Sequence, residues 1–398
     1  MNYKIDTERT DLFDVSIVIA MLVRINTDVS IEQLKESFDR ACRLHEVLNT
    51  KIGIDSSGEA YYTDNDDPHN SFANTDRSFY DLIERNECKR FHIEDGEFIR
   101  GYNSPEGLVF LMHHLGGDGK SLLYFIESFM RCLNGEQCEY VPFRSLTLDN
   151  LPDSSRLPAA YDWLAKHWNR KWGADRKVFD FNDMDAAYSG FWDKHKSRTE
   201  VKHYSRTELE SILSRSKQAG VTMTACLITD MIKDMECKAD VGLAVDGRPD
   251  KNRSMGNQAT GISVEYKYNR KLPFEDNARK VHSLMKKKLD DLKRRYFVLQ
   301  FMGRLDPTLI DALNLEHAGY FTSRMSSKTA ELMGYGSKVK DISITNLTRA
   351  DIPLEYGKYR IEDIIFVPPV VSYGKTVIGV ITTGDIMNIT THTIERRV

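Results

Sequence analysis

The chain has 398 residues, more than one small core needs and enough for two. Its 55 basic residues stand against 59 acidic ones, a net charge of −4, so no global basic field marks a partner of nucleic acid. The apolar run Ile17 to Val23 is too short to span a bilayer, the start Met-Asn-Tyr-Lys-Ile-Asp-Thr-Glu lacks an apolar signal core, and the six cysteines are scattered without a CxxC pair; a cytoplasmic protein with reduced thiols is expected.

Residues 14 to 25 alternate and are rich in Val and Ile, which predicts a strand. Ser30 and Gln33 make a capping box, and Ile31, Leu34, Phe38, Ala41, Leu44 and Leu48 follow at helical spacing. Short strands around 51–54 and 59–63 flank the turn Ser56-Ser57-Gly58. A helix around 76–87 and strands around 97–103 and 107–113 complete a mixed unit over residues 1–150. Residues 151–197 read as a bridge. It holds all four tryptophans, Trp163, Trp168, Trp172 and Trp192, and is expected to join two domains through aromatic surface. The pattern then restarts over 198–398, with a strand at 201–204, a helix opened by Ser205 and Glu208, and a helix from Thr222 to Met235. Strands at 241–245 and 262–268 precede a long charged helix from about Pro273 to Arg295; strands at 341–346, 361–367, 376–383 and 386–393 close the second unit.

The stretch richest in chemistry is Gly107 to Ser121. Leu108 to Met112 suit a buried strand that delivers His113 and His114, followed by Gly116, Gly117, Asp118 and Gly119. Lys120 to Leu133 then carries apolar residues suited to a buried helix, with Asn134 and Gly135 as its stop. Adjacent strand residues face opposite ways, so the two imidazoles cannot share one cavity. An imidazole held at a strand end can act as a base near neutral pH. Gly116-Gly-Asp-Gly119-Lys120-Ser121 imitates a phosphate-binding loop, but the required first glycine is replaced by His114. No HExxH or cysteine pair has zinc-ligand spacing, so no metal is expected. The basic run Lys286, Lys287, Lys288, Lys293, Arg294 and Arg295 is diluted by Asp290 and Asp291 and reads as a solvated helix face.

His113-His114-Leu-Gly-Gly-Asp118-Gly119 resembles the HHxxxDG signature of an acyltransferase superfamily that includes condensation domains of peptide synthetases, chloramphenicol acetyltransferase and plant BAHD enzymes. Three further segments resemble the same family in order and distance. Arg43-Leu-His45-Glu46-Val-Leu48-Asn-Thr50 is similar to the RHxxLRT helix end, with Asn49 in place of Arg. Val245-Asp246-Gly247-Arg248 with Met255-Gly256-Asn257 is similar to the DxR and GN segment. Ile344-Thr345-Asn346-Leu347 is similar to SNLG, with Thr345 for Ser and Thr348 for Gly. The plant DFGWG segment is missing, which argues against a BAHD enzyme and for a bacterial condensation-like or acetyltransferase-like member; with no adenylation or carrier segment in view, a free-standing enzyme is expected.

The resemblance implies an α/β fold with mixed sheets: two similar chloramphenicol-acetyltransferase-like subdomains in a V, with a channel between them. It implies that His114 is the general base, that Gly119, and Gly117 with it, leaves room for substrate, and that His113 steadies the turn, expected to donate to a backbone carbonyl. Asp118 is implied to pair with Arg248 of the second half and not to orient His114. Asn346, Ser372 and Tyr373 are candidate channel residues able to donate to an oxyanion. The activity implied is transfer of an acyl group from a CoA or phosphopantetheine thioester to an alcohol or amine, with no tightly bound cofactor. A carrier protein acting in trans and a non-catalytic ligand-binding homologue are the alternatives. A monomer is expected, because the chain supplies both halves of its site.

Overall fold

The computed structural model describes residues 2–250, 252–334, 340–372 and 374–397. In chain order, β1 (Asn2–Lys4) is followed by a 3₁₀ turn, Arg9–Asp11, and by β2 (Val18–Ile25), buried from Val18 to Val23. α1 (Ile31–Leu44) starts at Ser30, whose hydroxyl accepts from the Gln33 N–H at 3.3 Å. β3 (Thr50–Ile54) and β4 (Ala60–Asp64) form a hairpin. β5 (Ser71–Asn74), α2 (Phe79–Glu87), β6 (Ile99–Ser104), β7 (Gly107–His113) and α3 (Gly119–Leu133) complete the first half. The bridge contributes α4 (Ala159–Trp172) and α5 (Phe181–Trp192). The second half runs through β8 (His195–Tyr204), α6 (Arg206–Ala219), α7 (Met223–Ile232), β9 (Ala239–Asp246), β10 (Ala259–Tyr266), α8 (Phe274–Leu289), α9 (Leu292–Arg295), α10 (Phe297–Met302), α11 (Pro307–His317) and α12 (Arg324–Met333). It ends with β11 (Ile342–Arg349), β12 (Glu355–Tyr356), β13 (Tyr359–Val367), β14 (Thr376–Thr383) and β15 (Ile386–Arg396).

Two six-stranded mixed sheets carry the fold, in the orders β12-β13-β2-β7-β6-β5 and β10-β9-β11-β14-β15-β8; a small sheet β1-β4-β3 flanks the first. This is the mixed α/β, two-subdomain architecture expected from the sequence. β7 lies between β2 and β6 and is covered by α1 and α3, whose Phe38 and Phe125 rings meet edge to face at 5.6 Å. Buried on both faces, β7 reads as a continuous apolar run and not as an alternating one.

The structure corrects the expectation that every strand beyond 198 belongs to the second unit. β13 crosses to the first sheet, where it pairs antiparallel with β2 from Ile361↔Ile25 to Val367↔Ala20. Side chains of the second sheet then bind its backbone. The Asn388 amide donates to Ile364 O at 2.7 Å, the Thr390 hydroxyl to Phe366 O at 2.7 Å, and the Thr383 hydroxyl accepts from the Ile364 N–H at 3.2 Å. Gly379 permits this approach: a Cβ there would sit 2.6 Å from Phe366 O.

The long helix expected over 273–295 is broken at Asp290–Asp291, because the Asp291 carboxylate caps a new turn by accepting from Lys293 and Arg294 N–H groups. Residues 296–333, assigned no element from sequence, hold three helices. Three of the four tryptophans join segments as expected. Trp172 Nε1 donates to Thr308 at 2.8 Å, Trp192 Nε1 to Val15 O at 2.8 Å, and Trp168 meets Phe301 edge-on. Trp163 is 63% exposed and stacks on His167.

Where β15 meets α2, His392 and Glu87 are both fully buried, with Nε2 and Oε1 3.2 Å apart and His392 Nδ1 2.8 Å from Pro368 O. Burial alone would depress the His392 pKa, but the Glu87 carboxylate and the Pro368 carbonyl outweigh it and raise it. A raised histidine pKa contributes stability that is complete below the unfolded value of about 6.5 and is lost as pH climbs through the folded value. The melting temperature should therefore fall as pH rises above about 6.5, and His392→Gln should flatten that dependence in calorimetry at a series of pH values.

Candidate active site

The end of β7 separates the two imidazoles. His113 closes the strand opposite Val18, its N–H donating to Phe98 O at 2.9 Å; the His114 N–H donates to Ile17 O at 3.1 Å and opens a 3₁₀ turn over His114–Gly116. The His113 ring points inward, 2% exposed, and packs against Phe91. The expected donation to a carbonyl is not found among the described residues. The turn aims the Leu115 N–H back at the ring, so His113 Nδ1 accepts at 3.2 Å. Burial, with the nearby charges of His114, Arg90 and Arg100, lowers its pKa to about 3, which makes it a neutral, structural imidazole at physiological pH.

His114 turns the other way and keeps 16% of its side chain exposed. Its Nδ1 is buried, makes no hydrogen bond among the described residues, and lies 3.6 Å from Asp11 Oδ2. Asp11 sits in the 3₁₀ turn that precedes β2, where the Asn257 amide donates to the same Oδ2 at 2.6 Å. Burial raises the Asp11 pKa, with His114 and Asn257 pulling in the opposite direction. Beneath it, Glu8 accepts from the Tyr62 hydroxyl at 3.1 Å; burial and the Asp11 charge hold its pKa well above the ordinary carboxylate range.

Asp118 lies elsewhere. It caps α3, accepting from the Ser121 N–H at 2.9 Å and its hydroxyl at 3.1 Å. Across the junction Arg248 Nη2 approaches Asp118 Oδ1 at 2.9 Å, and the Gln258 N–H donates to Oδ2 at 3.1 Å. The pair is almost fully buried, at 2% and 7% exposure. Burial alone would raise the Asp118 pKa, yet the Arg248 guanidinium holds it below the usual value. Arg248 also binds Asp246 at 3.0 Å, and Asp246 in turn meets Lys120 at 2.9 Å, so the first turn of α3 and the loop after β9 are tied twice.

The remaining candidates fall outside this constellation. Gly117 has φ 147°, and a Cβ there would lie 2.4 Å from the Ser121 Cβ, so the turn alone accounts for glycine at this position. Gly119 opens α3 in close packing, where a Cβ would meet Phe366 at 3.1 Å and Leu347 at 3.2 Å. Asn346 spends its amide on Thr224 at 3.0 Å and its carbonyl on the Thr348 N–H at 2.7 Å, fixing the irregular end of β11. Ser372 is fully buried; its N–H donates to Asp14 at 2.9 Å, while its hydroxyl has no partner among the described residues. Tyr373 lies outside the described residues.

Asp11 is the residue that sequence reasoning missed, along with Glu8 and the side-chain role of Asn257. Asn257 was visible within its motif, but nothing local distinguishes Asp11 from an ordinary loop carboxylate. Among the described residues His92, Glu94 and Asp95 could converge on a cation, but Arg90 already binds both Glu94 oxygens. A cleft of about 320 Å³ opens between residues 143–150 and the loop 249–258; its lining does not include His114. No described helix is long and apolar enough to cross a membrane.

Removing one partner of a buried ion pair strands the other. Asp118→Ala and Arg248→Ala should each cost about 3–5 kcal/mol in denaturant unfolding, and the double variant should cost much less than their sum. Gly117→Ala should cost about 1–3 kcal/mol in the same assay, because alanine must hold a strained backbone and displace Ser121.

No family model matches the chain, and no curated protein matches it. Solved structures do. The first condensation domain of the CDA synthetase superimposes with a TM-score of 0.64 at 10% identity, over 98% of this chain and 89% of that one. The trichothecene 15-O-acetyltransferase of Fusarium sporotrichioides gives 0.64 at 14% identity, over 98% and 91%. The starter condensation domain of rhizomide synthetase, a mutant in complex with C8-CoA and Leu-SNAC, gives 0.63 at 10% identity, over 98% and 88%. The chain thus has, along nearly its whole length, the fold of these condensation domains and of this acetyltransferase.

Proposed function

We propose that the protein is an acyltransferase with His114 as general base, acting on an acyl thioester of CoA or phosphopantetheine and an alcohol or amine acceptor. The observation that carries this reading is the placement of His114. It stands at the end of a rigid central strand, partly exposed at the meeting of the two halves, while its neighbour His113 is locked neutral inside. Similarity of fold to an acetyltransferase and to a condensation domain captured with C8-CoA supports the substrate class.

In this reading the Nε2 of His114 takes the proton of the acceptor O–H or N–H as the acceptor lone pair bonds to the thioester carbonyl carbon. The carbonyl electrons move to oxygen, giving a tetrahedral oxyanion. Its collapse restores the carbonyl and breaks the C–S bond; the departing thiolate takes the proton from the imidazolium. The thioester is a co-substrate, and no tightly bound cofactor enters the sequence of steps. Asp118 and Arg248 hold the loop that carries His114, and Gly119 lets Phe366 and Leu347 pack close to that loop. The same reading has a monomer working in the cytoplasm on substrates that would enter from opposite sides of the meeting of the two halves.

A condensation-type enzyme acting on carrier-bound substrates is the second reading, supported by the condensation domains among the structural neighbours. Released thiol is the common readout. The protein is incubated with acyl-CoA and a panel of alcohols and amines, and in parallel with an acylated carrier protein. Thiol release from acyl-CoA that depends on an acceptor supports the free-standing enzyme; release only from the carrier supports the second reading. His114→Ala should lower turnover about 10²–10⁴-fold while circular dichroism stays unchanged. Wild-type turnover in that variant, or no acceptor-dependent release from either donor, overturns the proposal.

A further inference from the structure

The inference concerns Asp11 and rests on the acyltransferase reading of His114. A base that accepts a proton at one ring nitrogen needs the other to carry its proton in a fixed direction. Asp118 cannot supply that direction, because both its oxygens are committed to Arg248, Ser121 and the Gln258 N–H. The group facing His114 Nδ1 is Asp11, whose Oδ2 lies 3.6 Å away. Nδ1 itself is buried and has no hydrogen-bond partner among the described residues. The Asp11 carboxylate is only 8% exposed and is steadied by the Asn257 amide at 2.6 Å. The Asn257 amide reaches across from the second half, so this pinning is completed only when the two halves meet. Hydrogen bonds of this kind are commonly long before substrate binds and shorten in the reacting complex.

We infer that Asp11 is the positioning residue of His114: it fixes the tautomer with the proton on Nδ1, turns Nε2 toward the acceptor, and balances the imidazolium that forms during transfer. Asn257, from the second half, aims the carboxylate. The arrangement is that of a carboxylate–histidine dyad whose acid comes from the segment before β2 and not from the loop that carries the histidine.

The groups around the dyad bear on its titration. Glu8 and Asp14 approach from the segment of Asp11 itself, Tyr62 from β4, and His113 from β7. Asn314 of α11 donates to Thr10 O, and His317 at the end of the same helix faces Asp14. A negative charge at Asp11 favours the imidazolium that forms during transfer. Because the two groups interact, the acid limb of the rate profile belongs to the pair.

The test compares wild type, Asp11→Asn, Asn257→Ala, His114→Ala and the double variant Asp11→Asn/His114→Ala, using the thiol-release assay. Asp11→Asn should lower kcat about 10–100-fold with little change in KM, the usual scale for losing a partner that orients a catalytic imidazole. The acid limb of kcat/KM should move to lower pH, and the ¹⁵N titration of the His114 ring should move with it. In the His114→Ala background the Asp11 change should cost nothing further. Asn257→Ala should give a smaller change in the same direction. An inactive His114→Ala beside an Asp11→Asn variant with unchanged kcat and unchanged acid limb overturns the inference and leaves the function standing; an active His114→Ala overturns the function itself. Should Asp11→Asn fail to fold, Asn257→Ala and the ¹⁵N titration decide, and an unshifted His114 titration in Asn257→Ala counts against the inference.

Discussion

The buried contact between Asp118 and Arg248 sets the geometry on which the rest of the site depends. One carboxylate closes the N-terminus of α3, meets a guanidinium from the far half of the chain, and accepts the Gln258 backbone. The N-terminal end of a helix is also where the backbone dipoles favour a negative charge. Burying two charges is costly and repays little net stability unless every lone pair is used. Here nearly all are used, so the pair fixes the distance between the halves more than it adds to their affinity. The turn that presents His114 is only a few residues upstream and inherits that position.

Around His114 the interior is unusually polar. Glu8, Asp11 and Asp14 descend one after another from a short stretch of chain, all nearly inaccessible to solvent, with Tyr62, Asn257 and Asn314 among them. A folding chain gains nothing from putting acids there; each loses hydration that a protein partner must replace. The unpartnered Glu8 Oε2, Asn314 Oδ1 and Ser372 hydroxyl show that the replacement is incomplete. Incompletely satisfied buried polar groups of this kind collect at sites kept for chemistry.

The parts of the structure legible in the sequence are those coded locally. The apolar run of β7, the helix after Asp118 and the capping pair Ser205–Glu208 all sit where pattern and cap chemistry place them. The Asp118–Arg248 contact was legible only through motif resemblance, since no local rule joins residues so far apart. Three features escaped because their causes are tertiary. β13 is a largely apolar strand like β2 and β14, and nothing in it states which sheet it enters. The break at Asp290 turns on one carboxylate choosing to cap, inside a run that otherwise favours continuation. Asp11 looks like any loop acid until folding closes the second half over it.

The placement of β13 also bears on how such a chain can come into being. The Arg24–Asp363 ion pair that marks the β2–β13 seam joins residues 339 positions apart. During synthesis from the N-terminus, β2 must wait with one hydrogen-bonding edge open until β13 has emerged. Pairings of such sequence separation form slowly, and an unpaired apolar edge invites association with other chains. The first sheet is therefore completed late, by a strand whose backbone the second sheet also grips.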